Sequence, residues 1–552
     1  MSVSPRTPWS SGALTFGICL LLGAALSLTL GQDIEWDLKN YHVYNAWALL
    51  SGHFSQDIAP AGKQSYFNPL PDLPYYILGR GLLRDWPRLL AALQGCWFGG
   101  LLYILLGIAS RLATYRNRSF GLADLFGVLI GASGTIIVTQ VGTVTNEVPL
   151  AVLVLLGFYL LMPLYSAGAT QRPLRRALIA GLCCGLAAGL KPTAVIYPPA
   201  MTLALLLTLR PRVQSLKLAT SYLVGVVLAF VLSYGWWGWR LYELTGNPVF
   251  PMFNQVFKSG LAALSDATDA HFRPRDLVQW LFYPFFWLRK NSSLVTETGF
   301  ADWRFAIAMI ALLVMAWFRF AEPSRPPKQA SDVTRLIAST STTSVAAFLT
   351  AFVCVAYVVW LVLFSILRYA IPIEALIGLL ILLALQTSTA KWWSEPRAIQ
   401  RGSYVMGALG IFFVATSLYP SYGRTAFGKH VFDVGPIQVE PGSTVVFVGD
   451  PNAYLAAFFA HSENIDFVGL TPFTHDSEGY GLWALTRERI VSRKDSLYAV
   501  RREDPRNQSD LLFSFLPGYQ YSDCQPIHSN LEYGKRGNDY SMGLSLCRVT
   551  RS

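Results

Sequence analysis

Long apolar segments recur along the first three quarters of the chain, and short polar joints separate them. Each segment holds about 20 residues, the length that an α-helix needs to cross the hydrocarbon core of a bilayer. The pattern therefore predicts eleven membrane-spanning helices. They lie at about 12–30, 87–110, 121–140, 147–165, 174–190, 193–209, 217–238, 302–318, 344–366, 370–386 and 403–419.

The joints between these segments differ in charge, and the difference predicts how the helices are oriented. Cytoplasmic loops carry an excess of Lys and Arg. With eleven helices, the basic joints all fall on one side together with the N-terminus, so that side is predicted to be cytoplasmic. The C-terminus and the long loops 31–86 and 239–301 then lie on the extracytoplasmic side. The basic segments are 111–118, 172–176, 210–217, 319–335 and 391–401.

The long loops carry local patterns of their own. Residues 41–50 have apolar side chains at helical spacing, which predicts a short helix on the membrane surface that ends before Gly52. Four prolines in 59–74 exclude a long helix and favour a fixed binding loop. The stretch 277–288 is apolar but too short to span, so we expect it to be interfacial or re-entrant. Residues 320–342 are predicted to form a flexible cytoplasmic loop.

The character of the chain changes after the last apolar segment. Residues 442–450 read as a buried strand, 452–461 as a helix and 465–468 as a second strand. The glycine motifs of nucleotide-binding folds do not occur there. The predicted fold class is thus mainly α: a polytopic helical membrane domain, 1–422, followed by a small extracytoplasmic α/β domain, 423–552.

Composition agrees with this fold class. The 552 residues are 53% hydrophobic and 14% charged, with a mean hydropathy of +0.38, whereas soluble proteins carry about 25% charged residues. The net charge of +11 reflects the cytoplasmic loops. No basic run is interleaved with stacking aromatic residues, so nucleic-acid binding is not expected. Cys524 and Cys547 are able to pair if the C-terminal domain is extracytoplasmic.

Ionisable side chains cluster where the chain leaves the first predicted helix. Asp33, Glu35, Asp37 and His42 follow one another there. A carboxylate in apolar surroundings has a raised pKa and can accept a proton from an attacking hydroxyl, so the group is a candidate for acid–base chemistry or for binding a metal or a phosphate-linked sugar. The same residues also fit a charged helix end that meets water.

Two further polar sites lie at predicted outer joints. Asn146 and Glu147 either face the same cavity as Asp37 or cap the fourth helix. Lys191 and Arg368 either bind an anionic group such as phosphate or extend to the membrane interface. Positive charge is disfavoured in short outer loops, which favours the binding role. The sequence shows neither the Cys and His spacing of a metal site nor the motif of a serine hydrolase.

Together these features resemble the GT-C superfamily of membrane glycosyltransferases. The common elements are an acidic residue after the first helix, a polar site between the third and fourth helices, basic outer joints and a soluble domain after the last helix. In this chain they are Asp37 in Asp-x-x-x-Tyr41, Asn146-Glu147, Lys191, Arg368-Tyr369 and 423–552. The chain looks most like a group of bacterial membrane proteins that share the stretches 37–44, 64–70, 189–193, 246–251 and 368–369.

The resemblance implies a hexosyl- or pentosyltransferase of the bacterial inner membrane whose active site faces outward. Such an enzyme moves a sugar from a polyprenyl-phosphate donor to a glycan, lipid or protein acceptor. The resemblance implies no certain cofactor, although a divalent metal ion is compatible with it. The implied roles are a general base for Asp37, catalysis for Glu35 and His42, phosphate binding for Lys191 and Arg368, and substrate binding for Tyr41, Asn146, Glu147 and Tyr369.

Two other classes of function remain open at this stage. A transporter or flippase of a lipid-linked or anionic solute would also place charged residues within a helical bundle. Such proteins typically show broken helices and an inverted repeat, and the sequence shows neither. A scaffold whose C-terminal domain binds a partner is the third hypothesis.

Overall fold

The structure is a computed structural model, and it describes residues 12–166, 171–265, 269–321, 330–388, 396–493, 495–502, 511–532 and 543–552. Helices occupy all the predicted apolar segments. The first part of the chain forms α1 (Gly12–Leu30), α2 (Val43–Ser51), α3 (Leu73–Arg80), α4 (Pro87–Tyr115), α5 (Leu122–Ala132), α6 (Thr135–Thr139), α7 (Glu147–Leu161), α8 (Pro173–Leu190) and α9 (Tyr197–Thr208). The next part forms α10 (Arg212–Thr245), α11 (Asn254–Phe257), α12 (Leu277–Phe282), α13 (Arg304–Ala321), α14 (Ala330–Leu363), α15 (Ile371–Ser388) and α16 (Pro396–Thr416).

Seven of the described helical segments are long and apolar enough to cross a membrane by themselves. They are Gly12–Leu30, Pro87–Tyr115, Glu147–Tyr165, Pro173–Leu190, Arg212–Thr245, Val345–Leu363 and Leu367–Ser388. The other four predicted spans contain shorter or less apolar helices, namely α5 with α6, α9, α13 and α16. The protein is therefore a multi-pass helical membrane protein, as the hydropathy pattern predicts. Its orientation in the membrane stays a prediction.

Small residues let neighbouring helices of the bundle approach closely. Helices α8 and α10 form the most extensive pairing, and a Cβ added at Gly181 would lie 1.9 Å from the carbonyl oxygen of Tyr222. Lipid tails are as apolar as leucine, so such close packing supplies attraction that burial alone does not provide in a bilayer.

The predicted span 121–140 is not one continuous helix, because it breaks at Ser133–Gly134 between α5 and α6. Glu374 of α15 accepts hydrogen bonds from the backbone N–H groups of Ile136 (3.3 Å) and Ile137 (2.9 Å) at the start of α6. A Cβ at position 134 would lie 2.2 Å from the Glu374 carboxyl carbon, so any larger residue there would displace this carboxylate. The carboxylate thus satisfies helix-end groups that lipid cannot.

The predicted loop 320–342 is partly wrong. Helix α13 continues to Ala321 and α14 begins at Ala330, so most of that segment is helical. Residues 322–329 lie outside the described residues. Propensity alone does not explain the difference, because Ser, Thr, Asp and Val outnumber Ala, Arg and Leu in the segment after Ala330. The helix instead continues without a break into the apolar span that ends at Leu363.

The first long loop, 31–86, folds as a tightly packed unit. Residues 36–51 form one helix that contains a π-helical turn, Leu38–His42, before α2 begins. Val43 to Ala48 are buried. The predicted short helix is therefore present, and it packs beneath the C-terminal region. The proline-rich part contains two short 3₁₀ turns, Gly62–Tyr66 and Leu70–Asp72.

The C-terminal region forms a five-stranded mixed sheet. Its strands, in spatial order, are β4 (Asp466–Leu470), β3 (Thr444–Val448), β5 (Leu497–Arg502), β7 (Leu544–Arg551) and β6 (Tyr519–Ile527). The predicted strands 442–450 and 465–468 are present and pair in parallel. The predicted helix 452–461 is instead a 3₁₀ turn, Ala453–Phe458. A disulfide joins Cys524 to Cys547. Two further strands of the described chain are β1 (Gln32–Asp33) and β2 (Arg424–Thr425), and the helices of this region are α17 (Pro472–His475), α18 (Gly481–Val491) and α19 (Leu511–Phe515).

Backbone hydrogen bonds fasten this region to both long loops. Ile58 of the first loop bonds the edge strand β4, with its N–H donating to Phe467 O and its O accepting from Gly469 N. In the second loop, the carbonyls of Gly260 and Leu261 accept from the start of α18. Strand β2, which follows the predicted domain boundary at 422/423, pairs with β1 of the first loop. The boundary itself remains a prediction.

Candidate active site

A cavity of about 520 Å³ lies between the two long loops and the ends of α8 and α15. It brings together eight of the nine site residues that the sequence predicts, although they come from four separate parts of the chain. The eight are Glu35, Asp37, Tyr41, His42, Asn146, Lys191, Arg368 and Tyr369. The ninth, Glu147, lies behind Lys191 and lines a small adjacent space with Arg368 and Tyr369.

The π-helical turn Leu38–His42 explains how Asp37 and His42 line the same cavity. Residues five apart in an α-helix point about 140° away from each other, because each residue turns the helix by about 100°. In a π-helix the hydrogen bonds run from i to i+5, so residues five apart lie on one face. Asp37 comes directly before this turn and His42 ends it. Single π-turns inside α-helices are frequent at functional sites.

Asp37 is paired with Arg368 across the cavity. The Arg368 Nη1 atom lies 2.5 Å from Asp37 Oδ2, and Nη2 lies 3.1 Å from Glu297 Oε1. Tyr422 donates to the other oxygen of Glu297 at 3.0 Å. Burial raises the pKa of Asp37, but the positive charges of Arg368, His42 and Lys191 outweigh burial and hold that pKa below its usual value. Asp37 is therefore ionised.

Arg368 also has an unused donor. Its Nε is buried and has no hydrogen-bond partner among the described residues. Guanidinium groups present five N–H donors in a fixed planar arrangement that matches phosphate and carboxylate oxygens. Arg368 is thus bound to two carboxylates and still retains a donor for a further anion.

Lys191 occupies the joint between α8 and the next 3₁₀ turn. Its Nζ lies 2.5 Å from Glu147 Oε1 and 2.8 Å from the carbonyl oxygen of Thr145. Glu147 is the first residue of α7, where a negative charge is favoured by the helix dipole. Glu147 thus lies at the helix start that one interpretation from sequence gave it. It does not face the cavity of Asp37, as the other interpretation expected, but contacts that cavity through Lys191.

His42 is held by Asp72, a residue that the sequence interpretation did not select. His42 Nδ1 lies 2.6 Å from Asp72 Oδ1, and the Asn146 side chain donates to the same oxygen at 3.0 Å. Asn146 reaches it from a left-handed backbone conformation, φ +66°. His42 Nε2 is buried and has no partner among the described residues. With Nδ1 donating to Asp72, Nε2 carries a lone pair that can accept a proton or a hydrogen bond.

Glu35 has a different electrostatic environment from Asp37. Burial and the negative charges of Asp33 and Asp37 raise the pKa of Glu35 well above its usual value. Its Oε1 accepts a hydrogen bond from the Gln140 amide at 3.3 Å. Asp33 accepts from the backbone N–H groups of Glu35 and Val144, each at 2.9 Å, and so fixes the loop. Glu35 is thus suited to act as a neutral hydrogen-bond donor in the cavity wall.

Aromatic rings pack around these charged groups. Tyr41 lies beside His42, with ring centroids 4.1 Å apart, and makes an edge contact with Phe67. The Arg368 guanidinium lies 5.5 Å from the Tyr369 ring centroid. The carbonyl of Tyr369 accepts a hydrogen bond from the Tyr197 hydroxyl at 2.5 Å. These contacts fix the positions of His42 and Arg368.

Several cavity residues were not predicted from the sequence. They are Lys63, Gln64, Asn68, Asp72, Glu297 and Tyr422. The shared stretch 64–70 indicated the proline-rich loop but not which of its side chains face the cavity. Among the described residues Lys63 forms no ion pair, so it is a third cation available to an anionic ligand. Within the described ranges no group of three or more His, Cys, Asp or Glu side chains could hold a metal ion, so no residues are assigned to one.

Comparison with known proteins gives similarity at the level of fold. No protein-family profile and no curated protein matches the chain. Among solved structures, ArnT from Cupriavidus metallidurans, bound to undecaprenyl phosphate, is 12% identical with a TM-score of 0.42, and the match covers 98% of each chain. Arabinofuranosyltransferase AftD from Mycobacteria is 14% identical with a TM-score of 0.49. That match covers all of this chain and 40% of the AftD chain.

Both structures belong to the GT-C superfamily, the one that the sequence motifs resemble. The similarity to both is one of fold alone.

Proposed function

We propose that this protein is a membrane glycosyltransferase that takes a hexosyl or pentosyl group from a polyprenyl-phosphate donor. The observation that carries the proposal is the composition of the cavity. Lys63, Lys191 and Arg368 surround an ionised carboxylate, Asp37, at the ends of membrane helices. Apolar residues such as Leu190 and Phe364 also line the cavity. This combination suits a ligand with an isoprenoid chain, a phosphate and a sugar.

The donor phosphate is expected to bind to Arg368 and Lys191. A phosphate would compete with Asp37 for Nη1 of Arg368, and the unpaired Nε, which is buried in this structure, becomes a further donor once the guanidinium turns towards the phosphate. Negative charge grows on the phosphate as the glycosidic bond breaks, and fixed cations stabilise that charge. Lys63 lines the same cavity and supplies a third positive charge.

Asp37 is the proposed general base. In the reaction the acceptor hydroxyl oxygen bonds to the anomeric carbon, the bond from that carbon to the phosphate oxygen breaks, and the phosphate leaves with the electron pair. The hydroxyl proton passes to Asp37. Direct displacement inverts the anomeric configuration. When phosphate replaces Asp37 at Arg368, the carboxylate loses its strongest ion pair and becomes a better base, so the base is activated once the donor has bound.

His42 and Glu35 are proposed to orient the hydroxyl groups of the substrates. His42 Nε2 can accept a hydrogen bond, while burial and the nearby carboxylates raise the pKa of Glu35 and so favour the protonated form, which can donate one. Tyr41, Tyr369, Asn146 and Glu147 position these groups and the two cations through the contacts described above. The same reaction site is proposed to lie on the extracytoplasmic face of the bacterial inner membrane, with a glycan, lipid or protein as the acceptor.

Label transfer by purified protein in lipid tests the proposal. Wild type supplied with radiolabelled polyprenyl-phosphate sugars and native membrane extract is expected to form a second labelled product. Asp37→Asn is expected to lower that rate by about 10²- to 10⁴-fold, the usual contribution of a general base. Asp85→Asn, an exposed site in the same loop, serves as the matched control.

Two outcomes would contradict parts of this scheme. Normal transfer by Asp37→Asn, together with loss of transfer by His42→Gln, would move the role of base to His42. If wild type turns over no donor but binds lipid phosphate and moves it between bilayer leaflets, the alternative function of a flippase replaces the transferase.

A further inference from the structure

A second cavity, of about 290 Å³, lies where the first long loop, the second long loop and the C-terminal sheet meet. Lys63 and Gln64 line both this cavity and the first one. The two cavities are therefore neighbours that share one wall. No residue of the second cavity apart from this wall takes part in the reaction proposed above.

The second cavity lies at the carboxyl edge of the parallel strands. Strand β3 ends at Val448 and leads to Asp450, and the adjacent parallel strand β4 ends at Leu470 and leads to Thr471. Both Asp450 and Thr471 line the cavity. Open sheets of parallel strands bind their ligands outside the carboxyl ends of the strands. Here that edge faces the first loop of the membrane region instead of bulk solvent.

Polar groups in this cavity are incompletely paired, although Thr471 is also the N-cap residue of α17 and Asp450 bonds its own backbone N–H. Thr471 is 2% exposed, and its Oγ1 has no hydrogen-bond partner among the described residues. Asp450 is half-buried, and burial raises the pKa of its carboxyl group. The described part of the chain gives the Asp450 side chain no ion pair. A buried hydroxyl without a partner is uncommon, and a missing ligand is one reason for it.

We propose that this second cavity binds the acceptor, and that the acceptor presents a carbohydrate there. This inference rests on the proposed function, because a glycosyltransferase needs a second binding place from which a hydroxyl can reach the first cavity. Asp450 and Asp476 can accept hydrogen bonds from sugar hydroxyls, Thr471 can donate or accept, and Phe473 offers an apolar ring. The shared wall at Lys63 and Gln64 is where the acceptor crosses towards Asp37.

Native membranes supply the acceptor for the first test. Membranes that contain the full-length double variant Asp450→Asn with Thr471→Val receive the radiolabelled donor. Transfer to the endogenous product is expected to fall by about tenfold or more, since the variant removes hydrogen bonds to a ligand. Loss of the donor's sugar to water is expected to stay unchanged. Asp495→Asn is the control. Asp495 is exposed and directly precedes β5, so it lies at the amino ends of the parallel strands, whereas the cavity lies at their carboxyl ends.

A second readout does not depend on turnover. Hydrogen–deuterium exchange of residues 471–477 is followed in the purified full chain while short gluco-, manno- and arabino-oligosaccharides are added. At least one is expected to protect this segment in wild type and in Asp495→Asn but not in the double variant. Equal transfer by the double variant and wild type would overturn the proposal. If wild type transfers nothing, the proposed function fails, and absence of protection by every sugar then overturns the acceptor site as well.

Discussion

Two clusters of charged residues lie within this protein, and they differ in how completely their hydrogen bonds are made. The first joins Arg304, Asp302 and Glu374, all fully buried. Arg304 donates to the backbone carbonyls of Ile130 and Ser133 and to the carboxylate of Asp302. It also donates to the hydroxyls of Ser133 and Ser417, so each N–H of the guanidinium has an acceptor. The second cluster surrounds the first cavity, where Arg368 Nε and His42 Nε2 have no partner among the described residues.

The two clusters therefore differ in what their hydrogen bonds leave unused, although both contain paired charges. The Arg304 cluster closes the break between α5 and α6, with Arg304 serving the carbonyls at the end of α5 and Glu374 the amides at the start of α6. It leaves no group for a ligand. The cavity cluster has the same residue types, but it combines paired charges with unused donors and acceptors. Charge and depth alone therefore do not identify a functional site.

Removal of Arg304 is expected to have the largest effect on the folded protein. Arg304→Ala leaves Asp302 and Glu374 buried without their cation, and breaking such a buried pair costs about 3–5 kcal/mol. Thermal unfolding in detergent is expected to show loss of the folded protein or a large fall in its midpoint. Arg240→Ala, an exposed site at the end of α10, is the control. A stable Arg304→Ala would mean that the helix break has other support.

Removal of Arg368 is expected to affect activity far more than folding. The cavity allows water to reach Asp37 and Glu297 once the guanidinium is gone, so Arg368→Ala should remain folded. Label transfer is expected to fall by about 10²-fold or more, because a preorganised charge at the leaving phosphate is lost. The donor KM should rise more than the acceptor KM in steady-state kinetics. Equal changes in both would indicate a structural role, like that of Arg304.

Variants of Asp72 test whether this residue acts on the reaction only by positioning His42. Asp72→Asn keeps the shape but no longer fixes the tautomer of His42, so transfer is expected to fall by about tenfold with little change in stability. His42→Gln should lower the rate to a similar level. The double variant should be no worse than either single variant if the two residues act as one unit. Additive losses in single-turnover rates would show that they act independently.

A change in the pH dependence of sugar transfer is the smallest effect that we expect. Arg368 holds the pKa of Asp37 below its usual value of about 3.9. Asp37 therefore contributes stability above that value, and the contribution is lost as the pH falls through the lowered pKa. The kcat/KM for the donor, which reports the free enzyme, should stay constant from neutral pH down to about pH 5. In Arg368→Gln the Asp37 pKa of the free enzyme rises, so the acid limb of the residual kcat/KM should move to higher pH. An unmoved limb would show that Asp37 does not control it.

Hydropathy was sufficient to locate the helices, because a bilayer imposes a minimum apolar length on each span. It did not reveal the break at Gly134, since the apolar pattern continues across it and the partner, Glu374, lies far along the chain. Eight of the nine predicted site residues line one cavity. Asp72 and Glu297 were missed because their roles depend on contacts with His42 and Arg368, which no local pattern encodes.

The π-helical turn at Leu38–His42 ties the geometry of the site to the number of residues in this helix. Such a turn amounts to one extra residue inserted into an α-helix. After deletion of Lys39, residues 36–51 would wind as an ordinary α-helix in which Asp37 and His42 are four residues apart and lie on the same face. If the extra residue stayed but the π-turn were lost, the two side chains would instead point about 140° apart. A homologue that lacks one position here is therefore expected to hold the same pair of side chains on a regular α-helix.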